Sequence, residues 1–171
     1  MLSHTHQSAR VGNLKIVHNT VVMGASEGAA IYISPSAQRP LAGPVVIANN
    51  AIYASRAGLA LKLPKPIPGS KDLVVAGNLG FGRVDADGGS IGRAAFNPIG
   101  RLATDFDQWY YTLRRSTLIG AANPSFATAD DFNGTSREGA RDVGAYTFRA
   151  AGNPGWRIGK EFKKLQPASK P

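Results

Sequence analysis

The chain has 171 residues, 43% of them apolar, which is enough for one continuous core and excludes wholesale disorder. It contains no cysteine, which excludes disulfides and thiolate metal sites. Lys and Arg exceed Asp and Glu by 20 to 11, a formal charge of +9, so the surface attracts polyanions at long range. Charged residues are sparse at 18%, while Gly (20) and Pro (11) are frequent, a mix that favours strands and tight turns over long helices.

Residues 1–12 form a polar lead-in, and the opening MLSHTHQSAR lacks the apolar core of a secretion signal. Either the protein stays inside the cell or such a signal lies upstream. No apolar stretch approaches the roughly 20 residues needed to cross a bilayer.

An internal repeat follows. Leu14-Lys-Ile-Val-His-Asn19, Val45-Val-Ile-Ala-Asn-Asn50 and Leu73-Val-Val-Ala-Gly-Asn78 each alternate apolar residues and close on Asn, at intervals of 31 and 28 positions. A second motif keeps step with the first, since Gly28-Ala-Ala-Ile-Tyr-Ile33 is matched by Gly58-Leu-Ala-Leu-Lys-Leu63. Alternation puts Leu14 and Ile16 on one face of a strand, with Val45 and Ile47, and Leu73 and Val75, at the matching places. Short strands are expected next at Val21-Val22, Ile52-Tyr53 and Gly80-Phe81, and third strands at Ile31–Ile33 and Leu61–Leu63. One such circuit cannot bury its own apolar face, so copies must stack into a solenoid. Asn19, Asn50 and Asn78 are expected to stack as an amide ladder and to take the left-handed bend at the corner. An antiparallel sandwich is the competing arrangement, but it requires neither the repeated Asn nor the second motif in step.

Rungs are expected over about 13–40, 41–70 and 71–100, with a rigid Pro-Lys-Pro-Ile-Pro-Gly loop at 64–69. Residues 82–118 break the period. Residues 1–148 are read as rungs plus a closing segment, and 149–171 as a basic tail in which Ile158, Phe162 and Leu165 are spaced for a short amphipathic helix.

His18-Asn-Thr-Val-Val22 and Asn49-Asn-Ala-Ile-Tyr53 resemble the strand-and-turn signature of right-handed parallel β-helix repeats, the pectate-lyase-like superfamily. Asn123-Pro-Ser-Phe126, Asp131-Phe-Asn-Gly134, Arg137 and Arg141-Asp-Val-Gly-Ala-Tyr146 resemble the segment that closes many bacterial members, with Thr147 where Glu is usual. The resemblance spans residues 13–148 and implies an all-β, right-handed parallel β-helix of about three rungs with an irregular cap. It implies the C-terminal part of an extracellular or periplasmic protein that acts on or binds an acidic polysaccharide, as a lyase or epimerase. A non-catalytic module for glycan binding or assembly is the alternative, because this architecture hosts both.

Candidate site residues are few. Asp105 and Asp107 flank Phe106, and Asp85 and Asp87 flank Ala86; on a strand either pair shares a face and suits Ca2+, which lyases of this architecture often use. Turn chemistry is the plainer reading of both pairs. Lys62 points outward by alternation, and with Arg83, Arg93 and Arg101 it suits a uronate carboxylate, although each also serves as an ordinary surface charge. Trp109, Tyr110 and Tyr111 are the candidates for stacking on sugar rings. His18 precedes the corner Asn, a structural place in such repeats, and His4 and His6 lie in the lead-in. No nucleic-acid-binding motif accompanies the charge, so nucleic acid is not the expected partner. The N-terminal edge of the first rung is expected to be open, for upstream rungs or a second copy to cover.

Overall fold

Alternating apolar residues in this chain build three parallel sheets. The computed structural model describes residues 13–23, 28–33, 43–54, 59–62, 73–81, 83–85, 96–97, 112 and 114–155. The strands are β1 (Leu14–Val17), β2 (Thr20–Val22), β3 (Ala29–Tyr32), β4 (Val45–Ala48), β5 (Ala51–Tyr53), β6 (Leu59–Lys62), β7 (Leu73–Ala76), β8 (Asn78–Phe81), β9 (Arg83–Asp85) and β10 (Phe96–Asn97). The fold is all-β: among the described residues the only helical piece is a 3-10 turn at Pro124–Phe126.

The first sheet runs β1-β4-β7, the second β2-β5-β8-β10 and the third β3-β6-β9, and every pairing is parallel. The chain therefore visits the three sheets in the same order three times, and β10 lies on the fourth position of the second sheet. Parallel neighbours cannot be joined by a tight hairpin. Here each crossover is the rest of one circuit, which carries the chain through the other two sheets.

The register follows the repeat. Ile16 pairs with Ile47 and Ile47 with Val75 in the first sheet; Val21, Ile52 and Gly80 line up in the second; Ile31 meets Leu61 in the third. Inward-facing residues of all three sheets share one core, formed by Ile31, Ile33, Val45, Ile47, Ile52, Ala60 and Leu61 with Ile16, Val21 and Val75 against it. Burial is deepest in the middle circuit, where Val45, Ile47, Ile52 and Leu61 are fully enclosed. Each such side chain contributes roughly 1.5–3 kcal/mol of transfer free energy.

The expected amide ladder stands at the corner between the first and second sheets. Asn19 donates both its main-chain N–H and its Nδ2 to Asn50 Oδ1, each at 2.9 Å. Asn50 repeats this to Asn78 Oδ1 at 3.0 and 2.8 Å. The Nδ2 atoms of Asn50 and Asn78 also donate to the carbonyls of Ile16 and Ile47, both at 2.8 Å.

The left-handed bend falls one residue earlier than the sequence suggests. It is taken by His18 (φ 53°), Asn49 (φ 55°) and Gly77 (φ 64°). These are residue types that tolerate that conformation, and the bend there leaves the following Asn amide free to point from circuit to circuit.

The closing segment also takes a different place from an end cap. Over residues 116–148 it lies along the outward side of the second sheet, where Leu118, Ala122 and Val143 pack on Ala51 and Leu79, with Tyr53 at the edge. Gly144 N–H donates to Asn49 O at 2.9 Å, and Ala145 N–H to Thr20 Oγ1 at 2.9 Å. The segment thus touches residues of the first, second and third circuits. The outward column Thr20–Ala51–Leu79 is small or apolar, so leaving it in water would cost free energy that the segment recovers by covering it.

Candidate functional site

Lys62 is exposed, as its alternation predicts. It ends β6, in register with Tyr32 at the end of β3 and with Asp85 at the end of β9. The Lys62 ammonium sits 5.3 Å from the centre of the Tyr32 ring, which is 50% exposed. An aromatic face and a cation on adjacent parallel strands, about 4.8 Å apart by strand spacing, form a small outward-facing platform. Tyr32 holds the same place in the first copy of the repeat as Lys62 in the second, and the alignment of the two motifs carries that signal.

Arg83 lies in β9, in register with Leu59. Arg93, Arg101, Asp105, Asp107, Trp109, Tyr110 and Tyr111 lie outside the described residues. So do Asp87, His4 and His6, while Asp85 belongs to a strand rather than to a turn. The threonine after the aromatic cluster, Thr112, donates its hydroxyl to Tyr146 O at 3.1 Å, which ties that point of the chain to the closing segment. Among the described residues no group of three or more His, Asp or Glu side chains is placed to hold a metal, and no helix is long and apolar enough to cross a membrane.

The polar residues of the closing segment are committed to holding it together. Asp131 is buried and accepts four hydrogen bonds: at Oδ1 from the N–H groups of Asn133 and Thr135, and at Oδ2 from Thr147 N–H and Asn153 Nδ2, all within 2.8–3.0 Å. Asp142, also buried, accepts from Gly120 N–H at 3.0 Å and Phe148 N–H at 2.8 Å. Between them lies the Arg137 guanidinium, which donates to the carbonyls of Asp142 (3.1 Å) and Gly144 (2.7 Å) and has both carboxylates as countercharges. Asp131, with two N–H donors on each oxygen, has its acceptor sites filled, and Asp142 receives one N–H on each oxygen. The Asp-x-x-Gly-x-x-Arg and Asp-Val-Gly motifs therefore build the segment.

Gly144 shows how closely that segment approaches the sheet. A Cβ there would lie 2.8 Å from Thr20 Oγ1 and 3.0 Å from Ala51 Cβ, and the backbone sits at φ 95°. Gly144→Ala combines an unfavourable left-handed conformation with overpacking, an expected cost of about 2–5 kcal/mol. Urea denaturation checks the size of the loss. Amide exchange should show it first at Ala122, Val143 and Gly144, and unchanged exchange there would contradict the close contact.

A second polar cluster joins the corner of the sheets to this segment. Asn49, fully buried, accepts from Asn123 N–H through Oδ1 at 2.7 Å and donates from Nδ2 to Asn123 O at 2.9 Å. Asn123 in turn caps the 3-10 turn by accepting from Ser125 N–H at 3.0 Å. His18 lies beside them with Nε2 3.1 Å from Asn49 Nδ2. Burial and the Arg137 guanidinium push the imidazole pKa down to about 4, against smaller raising effects from the Gly144, Phe126 and Asp142 carbonyls. His18 is thus a neutral structural residue at pH 7.

Comparisons of the chain with protein-family models, with curated proteins and with solved structures return no match.

Proposed function

We propose that this chain is the C-terminal part of a right-handed parallel β-helix and that it binds an acidic polysaccharide. The fold reading is supported by three circuits that visit three parallel sheets in one order, and by the strong right-handed preference of parallel crossovers. The Tyr32–Lys62 platform carries the binding reading. A sugar ring stacks on an exposed aromatic face, and its carboxylate pairs with an ammonium beside that face. A net charge of +9 adds long-range attraction for a polyanionic chain.

Titration with polygalacturonate and alginate oligomers, with neutral dextran as control, tests the reading. Lys62→Ala and Tyr32→Ala are each expected to raise Kd severalfold, about 1 kcal/mol for an exposed contact. Binding should weaken steeply as salt is raised, because the charges are exposed. Equal affinity for dextran, or binding indifferent to both substitutions, would refute it. Ultraviolet absorbance of an unsaturated product in the same samples would identify cleavage by β-elimination in addition to binding.

A further inference from the structure

We propose that His18 is a proton-sensitive latch, and that protonating its imidazole releases the closing segment from the corner of the first two circuits. This proposal does not depend on the polysaccharide reading, since it uses none of the outward face of the third sheet.

The argument begins with the orientation of one amide. Asn49 is clamped by both main-chain groups of Asn123, Oδ1 receiving its N–H and Nδ2 giving to its carbonyl. Turning the amide over would set oxygen against oxygen and N–H against N–H, so the orientation is fixed. Asn49 Nδ2 therefore presents a hydrogen to His18 Nε2, 3.1 Å away, and Nε2 must offer its lone pair. The ring is neutral, with its proton on Nδ1.

A second proton has no place on this ring. It would sit on Nε2, donor facing donor, and break the contact with Asn49. Relief requires the Asn49 amide to leave Asn123 or the ring to leave the seam, and either motion loosens the segment.

The rest of the surroundings compensates the added charge only in part. His18 is only 8% exposed, so water does not solvate the added charge. Nδ1 has no hydrogen-bond partner among the described residues. The Gly144, Phe126 and Asp142 carbonyls face the ring and favour its charged form, but burial and Arg137 outweigh them, and the Asp142 and Gly144 carbonyls already accept from Arg137. Arg137 is the charged group that faces the imidazole from the closing segment, and it repels a second cation. From the corner side the polar neighbours are the neutral Asn19 and Asn49. Asp131 and Asp142 offset Arg137, but their carboxylates are turned to N–H groups of their own segment.

The direction of the pH effect follows. The folded-state value of about 4 lies below the ordinary 6.5, so the unfolded or open form binds the extra proton more readily. The latch is closed above about pH 6.5 and loses its hold as pH falls from there to about 4. Opening would uncover the outward face of the second sheet at Ala51 and Leu79, now under Leu118, Ala122 and Val143.

Amide exchange from pH 7 to pH 4, corrected for intrinsic rates, is the test. Protection at Asn123, Gly144 and Ala145, whose N–H groups reach Asn49 and Thr20, should fall by about tenfold or more. Asn50 and Leu79, whose N–H groups lie in the ladder and the second sheet, should keep theirs. His18→Asn mirrors Asn49 in the next circuit and suits the left-handed backbone; it should remove the loss at the three seam amides. Asp131 and Asp142 are common to both proteins, so the comparison isolates His18. Seam protection unchanged down to pH 4, or the same loss in His18→Asn, would overturn the proposal. If the variant does not fold, a proton-resonance titration of His18 in the parent decides: a midpoint near 6.5 with an intact seam refutes the latch.

Discussion

Ile47→Asp is expected to leave the chain without a cooperative folded state at neutral pH. Ile47 is fully buried at the centre of the first sheet, between Ile16 and Val75, and its side chain joins the shared core of all three sheets. A carboxylate at that position meets only hydrocarbon. It loses the transfer energy of isoleucine and adds an unpaired buried charge, together roughly 4–8 kcal/mol. A domain's whole stability is about 5–15 kcal/mol, so this single change consumes most or all of it. The neighbouring Val46 supplies the control. It is half-buried on the outward face, in register with the exposed Lys15, and Val46→Asp should shift stability by only about 1 kcal/mol. Circular dichroism with urea titration checks both proteins. An Ile47→Asp chain that melts like the parent would show that the inward register is wrong by one residue.

That register was legible from period-two alternation alone, because a strand has only two faces and a one-residue slip exposes every apolar side chain. The ladder was legible because Asn recurred at matched positions in three copies. The identity of the bent residue was not. Asn is suited both to a left-handed bend and to an amide ladder, and in Asn49-Asn50 the two roles stand side by side; only the backbone shows which residue has which. The docking of the closing segment was hidden for a different reason. Its contact residues Leu118, Ala122 and Val143 belong to no copy of the repeat, and they cover Ala51 and Leu79, which alternation marks only as outward. His18 reads as an ordinary corner residue until that distant segment buries it. Within the candidate platform, Lys62 was identified by its outward alternation. Its partner Tyr32 fills the same place one copy earlier, but a lone tyrosine at a strand end carries no signal until the pairing of the two strands sets it beside Lys62.

The ladder itself makes a quantitative test, because its amides are not equivalent. Asn50 is fully buried and uses all its side-chain capacity: Oδ1 accepts from Asn19 N–H and Nδ2, while its own Nδ2 donates to Ile16 O and Asn78 Oδ1. Asn50→Asp preserves the shape and the accepting end but replaces the donor by an oxygen aimed at two other oxygens. Two buried acceptors then lose their partner, and a charge stands between them. The expected cost at pH 7 is about 3–5 kcal/mol. Protonating the new carboxyl restores one donor, and burial among oxygens raises its pKa above the unfolded value of about 3.9. The penalty should therefore shrink as pH falls toward that range, a direction opposite to the acid sensitivity assigned to His18. Asn19→Asp is the matched comparison. Asn19 is exposed at the first strand of the ladder and its Nδ2 also reaches its own Val17 carbonyl, so a carboxylate there can turn into water. Its cost should stay below about 1 kcal/mol. Urea titrations of both variants at pH 7 and pH 5 measure the contrast, and equal losses at the two positions would show that the ladder does not carry the stability that its buried hydrogen bonds imply.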